Sequence, residues 1–262
     1  MRTRARRLGG VLLLGLRVHF KMLSRSPFDL WVVVASPLIF ATLAHFLFAD
    51  DRGQKMLVAA LASGVMGIWS STTASGAGAL QMQRRLGVLE LLVASPMPFW
   101  SVLLPISVAI SAIGIYSLAV GLVYVRLFFG IAITIHSWAA FAVAVPATIG
   151  AIGSLGFLFA SALVRFRSAS MVGNLFEWPV WMLCGLLIPV SVLPGWLQPV
   201  SWVFAPTWGM AALRNATLGT GHPWADIGMC AALAAVYLVA GALSLRLFLD
   251  AARARATLSL AS

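Results

Sequence analysis

A chain of 262 residues is ordinarily one soluble domain or two small ones. Here 61% of residues are hydrophobic, only 10% are charged, and the mean hydropathy is +0.97, against roughly 45–50% and about 25% in soluble domains. A protein this size cannot hide so much apolar surface behind a polar shell. Soluble enzymes, disordered chains and coiled coils are excluded, and an all-α integral membrane protein is expected.

The net charge of +11 sits in short basic clusters between long apolar runs. A nucleic-acid surface needs a continuous basic face with interleaved aromatics on a folded domain, so no nucleic-acid partner is expected. Cys184 and Cys230 both fall inside apolar runs and imply no disulfide framework. Arginine outnumbers lysine 16 to 2, a bias that suits a GC-rich bacterial genome.

Residues 1–28 do not read as a cleavable signal, because glycines interrupt the stretch from Leu8 to Leu16 and Arg17, His19, Lys21 and Arg25 follow it. Leu12, Leu16, Phe20 and Leu23 share one helical face, which predicts an amphipathic helix lying in the inner interface. The alternative is a frayed basic tail. Beyond it, runs free of Asp, Glu, Lys and Arg cover 30–49, 56–83, 91–125, 127–164, 178–213 and 227–245. About 20 apolar residues cross the hydrocarbon core. Six transmembrane helices follow, at about 30–48, 56–80, 101–125, 138–163, 169–189 and 225–249, in a single transmembrane domain over 1–262. With both termini in the cytoplasm, 14 basic residues face inward and 4 outward, the bias that membrane insertion favours.

Small and hydroxyl residues crowd the second span, Ser70 and Thr73 among them. They serve close helix packing in lipid or line a polar path between helices. Between the second and third spans, Gln83-Arg84-Arg85-Leu86-Gly87-Val88-Leu89-Glu90-Leu91-Leu92-Val93-Ala94-Ser95-Pro96 predicts a short helix over about 83–95. It has an apolar stripe and three charges, and Pro96 ends it. Too short to span, it lies at the cytoplasmic interface, either pressed on a soluble partner or as a surface helix with snorkelling arginines.

This segment resembles the signature of type-2 ABC export permeases, roughly Glu-Arg-Arg-x-Gly-Thr-Leu-Glu-x-Leu-Leu-x-Ser-Pro, at the same place between spans two and three. Gln83 replaces the first acid and Val88 the hydroxyl residue; Arg84, Arg85, Gly87, Leu89, Glu90, Leu91, Leu92, Ser95 and Pro96 match. The resemblance implies a coupling helix that docks into a separate ATPase subunit. A second stretch is similar to the family's segment between spans five and six. It runs through Cys184–Pro189, Leu193-Pro194-Gly195-Trp196-Leu197-Gln198-Pro199 and Ala205-Pro206-Thr207 to Ala212-Leu213-Arg214. It implies a re-entrant helical segment on the outer side over about 190–218, with Pro189, Pro194, Gly195, Trp196 and Pro206 as its marks. The prolines agree, since they cannot sit in one straight span, and irregular backbone at membrane depth must be covered by protein or line a cavity.

No phosphate-binding Gly-x-x-x-x-Gly-Lys-Ser/Thr loop occurs in the sequence. The chain is therefore expected to be no enzyme and to bind no cofactor, with ATP and Mg held by the partner ATPase. The resemblance implies two copies of that ATPase and a second permease copy, as homodimer or heterodimer, in a bacterial cytoplasmic membrane. Glu177 is the one acid placed inside a span, with Asn174 one turn before it and Trp178 beside it. A charge at the bilayer centre costs about 2.5–3.5 kcal/mol on insertion scales. Glu177 therefore meets a cation, a cavity or a nearby arginine, or lies shallow enough for interfacial water. His19, His45, His136 and His222 are scattered, and no pair has metal-ligand spacing. The expected activity is outward transport of an amphipathic, drug-like or lipid-like substrate, as in drug or antibiotic efflux. The alternatives are polysaccharide or glycolipid export on the same scaffold, and an ion-driven secondary transporter, which would favour paired intramembrane acids and an internal repeat.

Overall fold

The computed structural model describes residues 2–47, 53–85, 100–163, 175, 177–186 and 189–254, and among them every regular element is helical. In chain order these are α1 (Arg2–Leu23), α2 (Pro27–Leu47), α3 (Gln54–Arg85), α4 (Trp100–Phe128), α5 (Trp138–Leu163) and α6 (Glu177–Leu183). A 3₁₀ turn (Val190–Val192), α7 (Gln198–Trp202), α8 (Ala205–Leu218) and α9 (Pro223–Ala254) follow. Among the described residues three stretches are long and apolar enough to cross a membrane: Leu103–Phe128, Trp138–Ala162 and Pro223–Leu247. The protein is thus a multi-pass membrane protein. α2 carries a shorter apolar stretch, Val33–Phe46, and α3 dilutes its apolar residues with small polar ones over 32 residues.

α3 and α4 run antiparallel and nearly touch backbone to backbone, because glycines remove the side chains between them. A β-carbon on Gly64 would stand 2.7 Å from Leu118 Cα, one on Gly67 1.8 Å from Ser117 Oγ, and one on Gly114 2.7 Å from Ile68 Cα. Further along, Thr72 and Ser111 share a hydrogen bond of 2.8 Å. Lipid tails are as apolar as leucine, so helix association in a membrane draws on such close packing and interhelical hydrogen bonds. α2 lies beside this pair, with Pro37 over Gly67 and Gly121 and a 2.9 Å bond from Thr42 to the Tyr124 hydroxyl.

α1 is helical, and two residues of its predicted interfacial face meet protein. Leu16 and Phe20 pack on Val33, Ile106, Ala109, Ile110 and Ile113, so that face covers α2 and α4 as well as any membrane. Leu13, Leu14, Val18 and Met22 are exposed, alongside the exposed Arg17, Lys21 and Arg25.

α5 and α9 run parallel. Cys230 Sγ lies 3.7 Å from the Ala147 carbonyl, a separation of 83 in sequence, and Gly241 packs on Phe157 and Leu158 at a similar offset. Parallel neighbours require the intervening chain to return from one end of the bundle to the other. α8 supplies the last part of that return, antiparallel to the first half of α5. The Ser137 and His136 amides donate to the Ala216 and Thr217 carbonyls at 2.9 and 3.1 Å, and Gly209 sits on Thr148. Gly219, at φ +70°, ends α8 in the left-handed conformation and returns its amide to the Asn215 carbonyl at 3.0 Å.

Candidate functional site

The sequence candidates Ser70 and Glu177, 107 residues apart, meet in the fold. Ser70 Oγ donates to Glu177 Oε1 at 2.5 Å. Ser70 lies near the middle of α3, and Glu177 opens the first turn of α6. The carboxylate is half-buried while Ser70 is buried. Among the described residues the partner of the acid is therefore a neutral hydroxyl.

The other hydroxyls of α3 behave differently. Ser63 returns its hydrogen bond to the Ala60 carbonyl at 2.8 Å, and Ser71 and Thr72 return theirs to Ile68 at 2.9 and 2.8 Å. These donate to carbonyls of their own helix, and Thr72 also meets the neutral Ser111 of α4. Ser70 alone of this described group reaches across to a charged group. Thr73 is the next residue on α3, with its side chain outside the description, and Asn174 lies outside the described residues.

α6 presents two kinds of face. Val180, Trp181 and Cys184 are buried, whereas Trp178 is 60% exposed. Trp181, one turn after Glu177, meets Trp178 edge-on at 5.0 Å and 61°, and meets Phe40 of α2 at 4.9 Å and 82°. Its indole N–H is buried without a hydrogen-bond partner among the described residues. Trp181 and Phe40 escaped the sequence reading, in which both pass for ordinary apolar filler. The i, i+4 spacing from Glu177 to Trp181 was the available signal.

The predicted fifth span reaches 189, but its helix stops at Leu183. Gly185, at φ +72°, takes the left-handed conformation, and the Leu186 amide returns to the Trp181 carbonyl at 3.2 Å, the usual way a glycine closes a helix. From there Pro189, Pro194, Gly195 and Trp196 are exposed, while Pro206 is buried in the first turn of α8. The break between α7 and α8 is held by side chains from elsewhere. Tyr237 of α9 donates its hydroxyl to the Val203 carbonyl and accepts the Ala205 amide at 3.1 Å. Thr207 Oγ1 donates to the Ser201 carbonyl at 2.7 Å, and Trp208 Nε1 to the Trp202 carbonyl at 2.9 Å. Ala205 is level with Ala147, since Cys230 Sγ lies 3.7 Å from both carbonyls. That is about 14 Å along α5 from Trp138 at 1.5 Å per residue. The Ser201, Trp202 and Val203 carbonyls and the Ala205 amide of this irregular backbone thus all have side-chain partners.

Of the predicted coupling segment, Gln83, Arg84 and Arg85 are the last residues of α3 and not the start of a separate helix. Gly87, Leu89, Glu90 and Leu91 lie outside the described residues. No curated protein matches the chain. A family model described as ABC-2 type transporter matches residues 11–218, from within α1 to the end of α8. This family supplies membrane components of ABC transporters, which normally work with an ABC ATPase. With most of its length matched, the chain belongs to the ABC-2 type transporter family.

Proposed function

We propose that the chain is the permease subunit of an ATP-driven exporter in a bacterial cytoplasmic membrane, crossing six times with both termini inside. The observation that carries this reading is the ABC-2 match over 11–218, which takes in both the 83–96 segment and the hairpin between α6 and α8. The parallel course of α5 and α9 supports six crossings, because one return crossing must separate them, and α6 is its described part. The 14-to-4 division of basic residues supports the orientation.

In this reading two permease copies, identical or homologous, stand above two copies of a separate ATPase that binds ATP and Mg. The contact runs through Gln83, Arg84, Arg85, Gly87, Leu89, Glu90 and Leu91. α3 is one continuous helix from Gln54 to Arg85, so a push on its last turn travels along a rigid element to Ser70 and across the hydrogen bond to Glu177. An amphipathic, drug-like or lipid-like cargo passes this face on its way out. Exchanging Arg84 and Glu90 together for alanine should reduce ATP-dependent export at least tenfold while the protein remains folded. Unchanged export in that double variant would remove the coupling assignment.

A further inference from the structure

Glu177 is placed for a guest of one charge. Its carboxylate sits beside the middle of the 32-residue α3. It is half-buried, and its described hydrogen bond comes from the neutral Ser70. A carboxylate offers about four acceptor positions, and this bond takes one. Ser70 therefore orients the acid without neutralising it.

The aromatic groups complete the arrangement. Trp181 lies one turn along α6 from Glu177 and is wedged between Phe40 and Trp178, which fixes its ring. Trp178 is the exposed member of this series and follows Glu177 directly in the chain. An indole face attracts an organic cation, most strongly away from water. An anion such as a phosphate headgroup would be repelled by the carboxylate. A sugar would ask for several fixed donors and acceptors, where this face offers indoles and one acid.

We propose that Glu177 and the exposed Trp178, with the buried Trp181 packed behind Trp178, recognise an organic cation, so that the cargo is an amphiphile with a protonated or quaternary ammonium, or comparable onium, head. This rests on the export reading above for the direction of movement, though binding itself does not. The test uses the full chain in phosphatidylcholine nanodiscs and equilibrium dialysis of tetraphenylphosphonium, with tetraphenylborate as the same shape carrying the opposite charge. Wild-type protein should bind the phosphonium saturably above empty nanodiscs, and the borate, dialysed in a separate sample, should not bind above them. E177Q should weaken binding at least tenfold, with E177D weakening it less. W178A, at an exposed side chain, should weaken it several-fold and reads the site even if E177Q fails to fold. Equal affinity in wild type and in folded E177Q or W178A, or no binding above empty nanodiscs, would overturn the cation site. Co-purification of an ATPase with the same E177Q protein reads the export reading separately, since losing the cation leaves the 83–96 segment untouched.

Discussion

Tyr237 closes the break in front of Ala205: one phenol hydroxyl accepts the Ala205 amide and donates to the Val203 carbonyl two residues earlier. A single side chain on α9 thus satisfies the two backbone groups that the turn between α7 and α8 leaves without helical partners. It also anchors α8, whose other end is held by the His136 and Ser137 amides.

Tyr237→Phe keeps the ring and removes both bonds. A buried backbone group left unsatisfied costs about 1–3 kcal/mol, and each kcal/mol shifts the melting temperature by roughly 2–4 °C in a protein of this size. The variant should melt several degrees lower in detergent. A melting temperature matching wild type would show that water or lipid headgroups satisfy the break instead.

The glycines of α3 predict a contrast. Gly67→Ala places a methyl 1.8 Å from Ser117 Oγ and forces α3 away from α4, whereas Gly150→Ala on α5 meets nothing within 4 Å. Overpacking costs typically about 1–3 kcal/mol, while open substitutions fall within about 0.5 kcal/mol. Thermal unfolding of the two purified variants should therefore separate them clearly. Equal stability would refute the close crossing.

Gly219→Ala carries two penalties, a left-handed φ of +70° and a methyl 2.7 Å from His136 Cγ. Gly130→Ala, at φ +66° with nothing within 4 Å, carries only the first, about 1–2 kcal/mol. The Gly219 variant should be the less stable, and adding His136→Ala should recover part of the difference. If that second change recovers nothing, the ring is not in the way.

Much of the helical layout was legible because charge and apolarity mark where a chain leaves the membrane. The expected spans 101–125, 138–163 and 225–249 overlap the membrane-length stretches Leu103–Phe128, Trp138–Ala162 and Pro223–Leu247, while 30–48 falls on a helix with a shorter apolar stretch, Val33–Phe46. Helix ends were less legible. α3 runs on through Gln83, Arg84 and Arg85, since arginines favour helix as readily as they favour an interface, and α6 stops early where Gly185 permits a left-handed residue. The prolines before Ala205 announced an interrupted segment, but not Tyr237, whose role depends on a packing partner more than 30 residues away. Ser70 and Glu177 each stood out as polar residues in apolar runs. Their bond did not, because nothing local records which face of α3 meets α6.

That bond yields a thermodynamic prediction. Ser70→Ala and Glu177→Ala should be non-additive, with a coupling of about 0.5–2 kcal/mol in a double-mutant cycle on stability, the range for membrane hydrogen bonds. Strict additivity would mean that the two groups do not interact in the folded protein.

The measurement that tests the central claim most directly is co-purification. The tagged chain is solubilised gently from its native membrane, and the proteins that stay bound are identified and quantified. An ABC ATPase subunit is expected at one copy per permease chain, released when Arg84, Arg85 and Glu90 are replaced by alanine. A chain that purifies alone and still moves solute on a proton or sodium gradient would contradict the account.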